Sequence, residues 1–255
     1  MMLNKNIVLA TILASAIIAG MSLNKYFKQR TIKPDNTLLI VGTNAEFPPF
    51  EYIENDTLIG LDIDLLQEVA KRMGKRIEFR DMPFSTLISQ LQMGGIHLIA
   101  AGLTPTKERA EHVLFSENYV QGEPLVIVTL ATKTPLKTIE DLKTKDVIVN
   151  DGFTAASYLS SFPEISLKRL PTVADAFLAL TSQRGDAFVT AYNTIKPFFD
   201  QYGSEKFMTT PIEGTLEPAA LAISKKHPEL VEQINVILKE MEEDGSLEAF
   251  KRKWL

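Results

Sequence analysis

The chain has 255 residues, 45% of them hydrophobic and 23% charged, a globular balance that suits one large domain or two lobes of roughly 100 residues each. It contains no cysteine, which excludes disulfides, thiolate metal sites, a cysteine nucleophile and the lipidated cysteine of a bacterial lipoprotein. The net charge of −5 becomes −9 (23 cations against 32 acids) once the four cations of residues 1–30 are set aside, which argues against a nucleic-acid partner and is compatible with a cationic small ligand.

Residues 1–30 read as a signal peptide or N-terminal anchor. Lys5 gives a positive start, and Ile7 to Met21 is a 15-residue stretch without charge. That length fits the apolar core of a signal, about 7–15 residues, better than a membrane span of about 17–25. Small residues cluster from Ala14 to Gly20, but no A-x-A site closes the run, so cleavage and retention as an anchor both stay open.

Beyond a polar leader at Thr31 to Asn36, strands and helices alternate. "TLLIVGTN" (37–44) reads as a buried strand. "DIDLLQEVAKRMG" (62–74) spaces Ile63, Leu66, Val69, Ala70 and Met73 as one helix face, closed by Gly74. Asp62 and Asp64 open this helix as dipole and capping acids, Asp64 with Gln67 as a capping box, and carry no chemistry of their own. "RIEFRDM" (76–82) alternates as a strand, "STLISQLQMGG" (85–95) is a helix with Ser85 as N-cap and a glycine pair as its end, and "IHLIAAGL" (96–103) is a strand again.

The pattern then restarts. "PLVIVTL" (124–130) is a strand, "TIEDLK" a short capped helix, "DVIVNDG" (146–152) a strand opening onto the helical "FTAASYLSS". "TVADAFLALTSQRG" (172–185) is a helix with Thr172 and Asp175 at its cap, and "DAFVTA" (186–191) is the next strand. "PAALAISKK" is a last strand, followed by two helices, the second packing Phe250 and Trp254 inward. Two α/β units with two chain crossings, near 121–126 and 212–219, predict a discontinuous lobe 1 (31–123 and 217–255), an inserted lobe 2 (124–216), and a ligand crevice at the strand ends.

Within "AAGLTPTKERAEHVLFS" (100–116), a strand end and loop at Gly102-Leu103-Thr104-Pro105 precede one forward cation, Arg109. A guanidinium beside exposed N–H and hydroxyl groups makes a two-pronged match to a carboxylate. "NDGFTAAS" starts a helix whose N-terminus suits an anion, with Thr154 the contact and Ala155 beside it; capping by Thr154 is the plain alternative. His97, His112 and His227 are scattered without metal spacing, and no catalytic motif stands out, so neither metal, cofactor nor enzymatic activity is expected.

"GLDIDLLQEVAKRM" (60–73), with "VGTNAEFPPFEY", "IAAGLTPTKERAEHVLFS" and "RGDAFV" in order around it, resembles the family-3 extracellular solute-binding proteins, the polar amino acid receptors of ABC importers. The resemblance covers about residues 37–255. It implies an α/β, two-lobe periplasmic-binding-protein fold (type II), each lobe a mixed, mostly parallel sheet flanked by helices, with two hinge crossings.

It also implies roles for particular residues. The ligand carboxylate falls on Arg109, the α-amine near the Gly102 carbonyl, with Ala101 beside it, and near the Thr104 hydroxyl. Phe47 and Phe84 match the rings that flank the ligand side chain, and Asn44 the position that meets the distal end of a basic side chain, where Asp is usual. Of the nearby acids Glu46, Glu51 and Asp81, Glu46 is the first choice to supply that charge. One departure stands out: where the family strand usually ends in an Asp that pairs with the α-ammonium, this chain has Ala191, and Glu217 in the second crossing is the candidate substitute.

The expectation is therefore an exported, periplasmic, monomeric binding protein that delivers a basic amino acid, arginine first, to an ABC permease in the inner membrane. A dehydratase of the cyclohexadienyl type, which resembles this fold, and a sensory ligand-binding domain are the alternatives.

Overall fold

The computed structural model describes residues 37–255; the signal or anchor reading of residues 1–30 lies outside them. In chain order come β1 (Leu38–Thr43), β2 (Glu46–Phe47), β3 (Glu51–Glu54), β4 (Thr57–Ile59), α1 (Leu61–Arg72), β5 (Arg76–Asp81), a 3-10 turn (Phe84–Thr86), α2 (Leu87–Met93), β6 (Leu98–Ile99), α3 (Lys107–Ala110) and β7 (Leu114–Val120). The chain then runs through β8 (Leu125–Leu130), α4 (Ile139–Leu142), β9 (Asp146–Asn150), α5 (Thr154–Ser160), β10 (Ser166–Leu170), α6 (Val173–Thr181), β11 (Ala187–Ala191), α7 (Tyr192–Tyr202) and β12 (Phe207–Pro211). It returns with β13 (Ala219–Ile223), α8 (Glu229–Glu243) and α9 (Ser246–Trp254).

Two five-stranded sheets result, in the orders β5-β1-β6-β13-β7 and β10-β9-β11-β8-β12. In the first, β1 pairs in parallel with β5 and β6, and β13 runs antiparallel to β6 and β7. In the second, β9 pairs in parallel with β10 and β11, and β8 runs antiparallel to β11 and β12. The return of β13 to the first sheet is what makes the chain pass between the sheets twice.

Strand alternation covers each sheet on both faces, because successive side chains point to opposite sides. Leu39 and Val41 of β1 join the cluster containing Leu65 and Leu66 of α1, while Ile40 packs with Leu87 and Leu91 of α2. In the second sheet Ile148 and Phe188 meet Phe177 of α6, and Val147, Val149 and Val189 meet Leu159 of α5. Fully burying such side chains is worth about 1.5–3 kcal/mol each.

Several local expectations are corrected. The helix expected from Ser85 begins at Leu87, after the 3-10 turn, with no side-chain cap; its end at Gly94, in the left-handed region, is as expected. At α1 neither acid caps: Gly60 holds the N-cap position without a side-chain bond. Asp64 instead accepts from Lys253 Nζ (2.7 Å) and Trp254 Nε1 (2.8 Å), fastening α9 to α1. Thr172 does cap α6, accepting from the Asp175 N–H at 3.0 Å. The hairpin β2 to β4, strands β7 and β12, and helix α7 were not foreseen.

Candidate functional site

The two chain passages between the sheets lie side by side. The Glu217 N–H donates to the Glu123 carbonyl (3.0 Å), and the Leu125 N–H to Thr215 Oγ1 (2.9 Å). Gly122 permits this approach: its φ is +78°, and a Cβ there would lie 2.0 Å from the Glu217 carbonyl oxygen. Next to these passages a cavity of about 560 Å³, part of it open solvent, is walled on one side by segments that connect strands of the first sheet and on the other by residues in and after strands of the second.

Arg109 is its cation. Its short helix α3 is set by Thr106, whose Oγ1 accepts from the Arg109 N–H at 3.1 Å. Arg109 is only 8% exposed and its guanidinium reaches across the molecule: Nη1 donates to the Thr104 carbonyl (2.7 Å), Nη2 to the Gly152 carbonyl beyond β9 (2.9 Å). Its carbon lies 5.6 Å from the Phe84 ring centroid, within cation–π range. Burial pushes its pKa down to about 10, against the raising effect of Glu217, so it stays charged at neutral pH. A guanidinium has five N–H donors, and the two bonds to carbonyls leave others for a ligand.

Glu217 is the acid opposite. Its Oε2 accepts from Thr104 Oγ1 (3.0 Å) on one side and from Thr154 Oγ1 on the other, so one carboxylate ties both sheets together. Burial raises its pKa, and the two hydroxyls and then the charge of Arg109 pull it back.

The apolar wall is aromatic. Phe47 stacks on Phe50 (5.5 Å between centroids), and Phe153, between β9 and α5, stands edge-on to Phe47 (5.4 Å) and tilted against Phe84 (4.6 Å). Gly102 sits under this wall with φ +52°, where a Cβ would come within 2.6 Å of the Phe47 ring. Its N–H donates to Asp62 Oδ2 (2.9 Å), and Asp62 Oδ1 accepts from the Tyr119 hydroxyl (2.6 Å). Asp62 is fully buried, and burial lifts its pKa to about 6 against the lowering by those bonds. Beside it Glu51 is also fully buried; burial, then the charge of Asp62 and a hydrogen bond to its carboxylate, holds its pKa well above the usual range.

The model of the bacterial extracellular solute-binding proteins, family 3, matches residues 39–255. The chain belongs to that family. Among family-3 relatives it is 33% identical over 220 residues to the arginine-binding extracellular protein ArtP of Bacillus subtilis (strain 168), covering 85% of each chain. It is 29% identical to the glutamine-binding protein GlnH of the same organism over 87% of this chain and 82% of that one. Its fold matches an ancestral arginine-binding protein bound to arginine with a TM-score of 0.81, 35% identity, and coverage of 86% and 98%. The fold is thus the two-lobe one of such binding proteins, the first sheet in one lobe and the second in the other.

Of the residues singled out on family-3 resemblance, Phe47, Phe84, Ala101, Gly102, Thr104, Arg109, Thr154, Ala155 and Glu217 all line the cavity. Asn44 and Glu46 do not. The Asn44 amide is turned onto the Met82 carbonyl (3.3 Å). Glu46 is exposed because strand alternation in β2 sends Phe47 inward and Glu46 out. Thr154 is not a helix cap: Phe153 holds that position, and the Thr154 hydroxyl goes to Glu217. Ala191 ends β11 at the cavity wall, as the family comparison of motifs placed it. Phe153, Phe50, Glu123 and Asn193 also line the cavity and were missed; an aromatic between Gly152 and Thr154 at a strand-to-helix turn was the one available signal.

Proposed function

We propose that this protein captures a basic amino acid, arginine first, between its lobes and delivers it to an ABC permease of the inner membrane. One observation carries the reading: the cavity presents one buried cation, Arg109, and two acids, Glu123 and Glu217. That is the mirror image of a basic amino acid, which carries one carboxylate and two cationic groups. Arg109 takes the carboxylate, and Glu217 takes the α-ammonium in place of the acid absent at Ala191. The exposed Glu123 adds negative charge to the cavity, and the side-chain end packs on the rings.

Closure follows from the same contacts. A ligand held by Arg109 and Glu217 of the first lobe meets Phe153 and Thr154 of the second only when the lobes are together, so it favours the closed arrangement by its differential affinity. Among the described residues lobe 1 comprises 37–123 and 217–255 and lobe 2 comprises 124–216, and the molecule acts as an exported periplasmic monomer. The test is calorimetric titration of the described region with arginine, lysine, glutamine and glutamate. Arginine or lysine binding that is lost in Arg109→Ala supports the reading, and exclusive binding of glutamate or of apolar amino acids refutes it.

The half-buried Glu217 also gives a second reading a foothold, since a dehydratase needs an acid aimed into its cleft. Loss of water and carbon dioxide from a cyclohexadienyl amino acid in the presence of the protein, followed by the absorbance of the aromatic product, would establish that reading; an unchanged substrate removes it.

A further inference from the structure

We propose that Phe153, on the second lobe, is a specificity-determining residue: it converts a two-ring slot into a three-ring cage that recognises a cationic, planar side-chain end through its ring faces. This inference rests on the reading that the ligand is a basic amino acid, and it adds which residue separates a guanidinium from a neutral group of the same shape.

The geometry is that of a corner closed by a third wall. Phe47 ends β2 and Phe84 opens the 3-10 turn before α2, both in the first lobe. Phe153 lies 5.4 Å from Phe47 at an interplanar angle of 88° and 4.6 Å from Phe84 at 57°, and all three line the cavity. Rings set at steep mutual angles turn faces and edges toward a shared space, and a ring face attracts a cation through its quadrupole.

The backbone holds Phe153 there. Gly152 sets the turn with φ +77°, a left-handed conformation that favours glycine, and the turn packs against Phe84 and Ser85. The Gly152 carbonyl is gripped by Arg109 at 2.9 Å, and the Phe153 N–H donates to the Asn150 carbonyl at 3.3 Å. The ring therefore arrives with the same turn that brings Thr154 to Glu217.

The polar side of the cavity leaves this task to the rings. Asn44 and Glu46, the positions expected to meet the far end of the ligand, lie outside the lining. The two acids of the lining sit on the paired crossings, their backbones bonded to each other at 3.0 Å, and Glu217 is already engaged by two hydroxyls. A planar guanidinium stacks on aromatic faces better than a compact ammonium, which keeps its water more tightly.

The test compares arginine with citrulline, its neutral isostere, by calorimetry on the wild type, Phe153→Leu and Phe153→Tyr. Leucine keeps an apolar side chain and removes the ring face; tyrosine keeps the face. The expected result is a loss of arginine affinity in F153L of about three- to tenfold, a cation–π share, with citrulline changed by less than about twofold and F153Y close to wild type for both. An equal loss for both ligands means Phe153 only seals the lobes, and no loss means it does not touch the side chain; either overturns the inference while arginine binding by the wild type still stands. A wild type that binds no basic amino acid overturns the functional reading itself, and this inference with it. Melting of each variant without ligand checks that it folds.

Discussion

The first lobe orders its parallel strands β5-β1-β6 and the second β10-β9-β11, and each adds an antiparallel neighbour that follows a crossing, β13 in one and β8 in the other. Their counterpart strand ends differ in load. After β6, Gly102 is held by the buried Asp62, and the loop goes on to Arg109. After β11, Ala191 passes straight into α7 as its N-cap residue, with no side-chain bond. The second lobe contributes instead a backbone carbonyl, a hydroxyl and a ring, from Gly152, Thr154 and Phe153. One plan of strands thus carries the buried cation in one half and a carbonyl, a hydroxyl and a ring in the other, and in the proposed reading Glu217 at the crossing stands in for the acid absent at Ala191.

Removing the grip should have the largest effect. Arg109→Ala is expected to weaken arginine by about two orders of magnitude or more, the scale of breaking a buried charge interaction, measured by calorimetry. Glu217→Gln comes next, with about a 10- to 100-fold loss from one charge-assisted hydrogen bond. In that background A191D should recover part of the affinity by returning an acid to the second lobe. No recovery would show that the two positions do not serve the same ligand group.

A third prediction concerns the support beneath the first lobe's grip. Glu51 and Asp62 have raised pKa values in the fold, so the folded chain holds more protons than the unfolded one and stability falls as pH rises. Asp62, at about 6 against about 3.9 when free, acts between roughly pH 4 and 6, and Glu51 extends the decline upward. The melting temperature should therefore drop from pH 5 toward pH 8, and Glu51→Gln should flatten that slope. A slope unchanged in the variant would contradict the assignment. Last, Glu46→Ala should alter ligand affinity by no more than about twofold, since surface changes typically stay within 0.5 kcal/mol.

The strands β1, β5, β8, β9 and β11 were legible because their apolar runs end in turn residues, and Arg109 because a Gly-x-Thr-Pro-Thr entry frames it. The hairpin at 46–59 and the strand at 114–120 were hidden by short length or mixed charge, and α7 by Pro197 inside it. Those omissions explain the misreading of Asp62. A carboxylate at a helix start reads as a cap, and only the placement of Tyr119 on β7 and of Gly102 shows where it points. Glu46 failed for a similar reason, as one strand register decides which side of β2 faces the cavity. Phe153 lines the site because its turn packs against the first lobe, and Glu123 because the two crossings pair, neither of which a local pattern encodes.

The central claim is that Arg109 holds the carboxylate of a zwitterion whose ammonium meets Glu217. Titration with arginine and with agmatine, the same molecule without the carboxylate, tests it most directly. Arginine should bind at least about 100-fold more tightly, as expected for losing a buried charge pair. Equal affinity for the two would contradict the account.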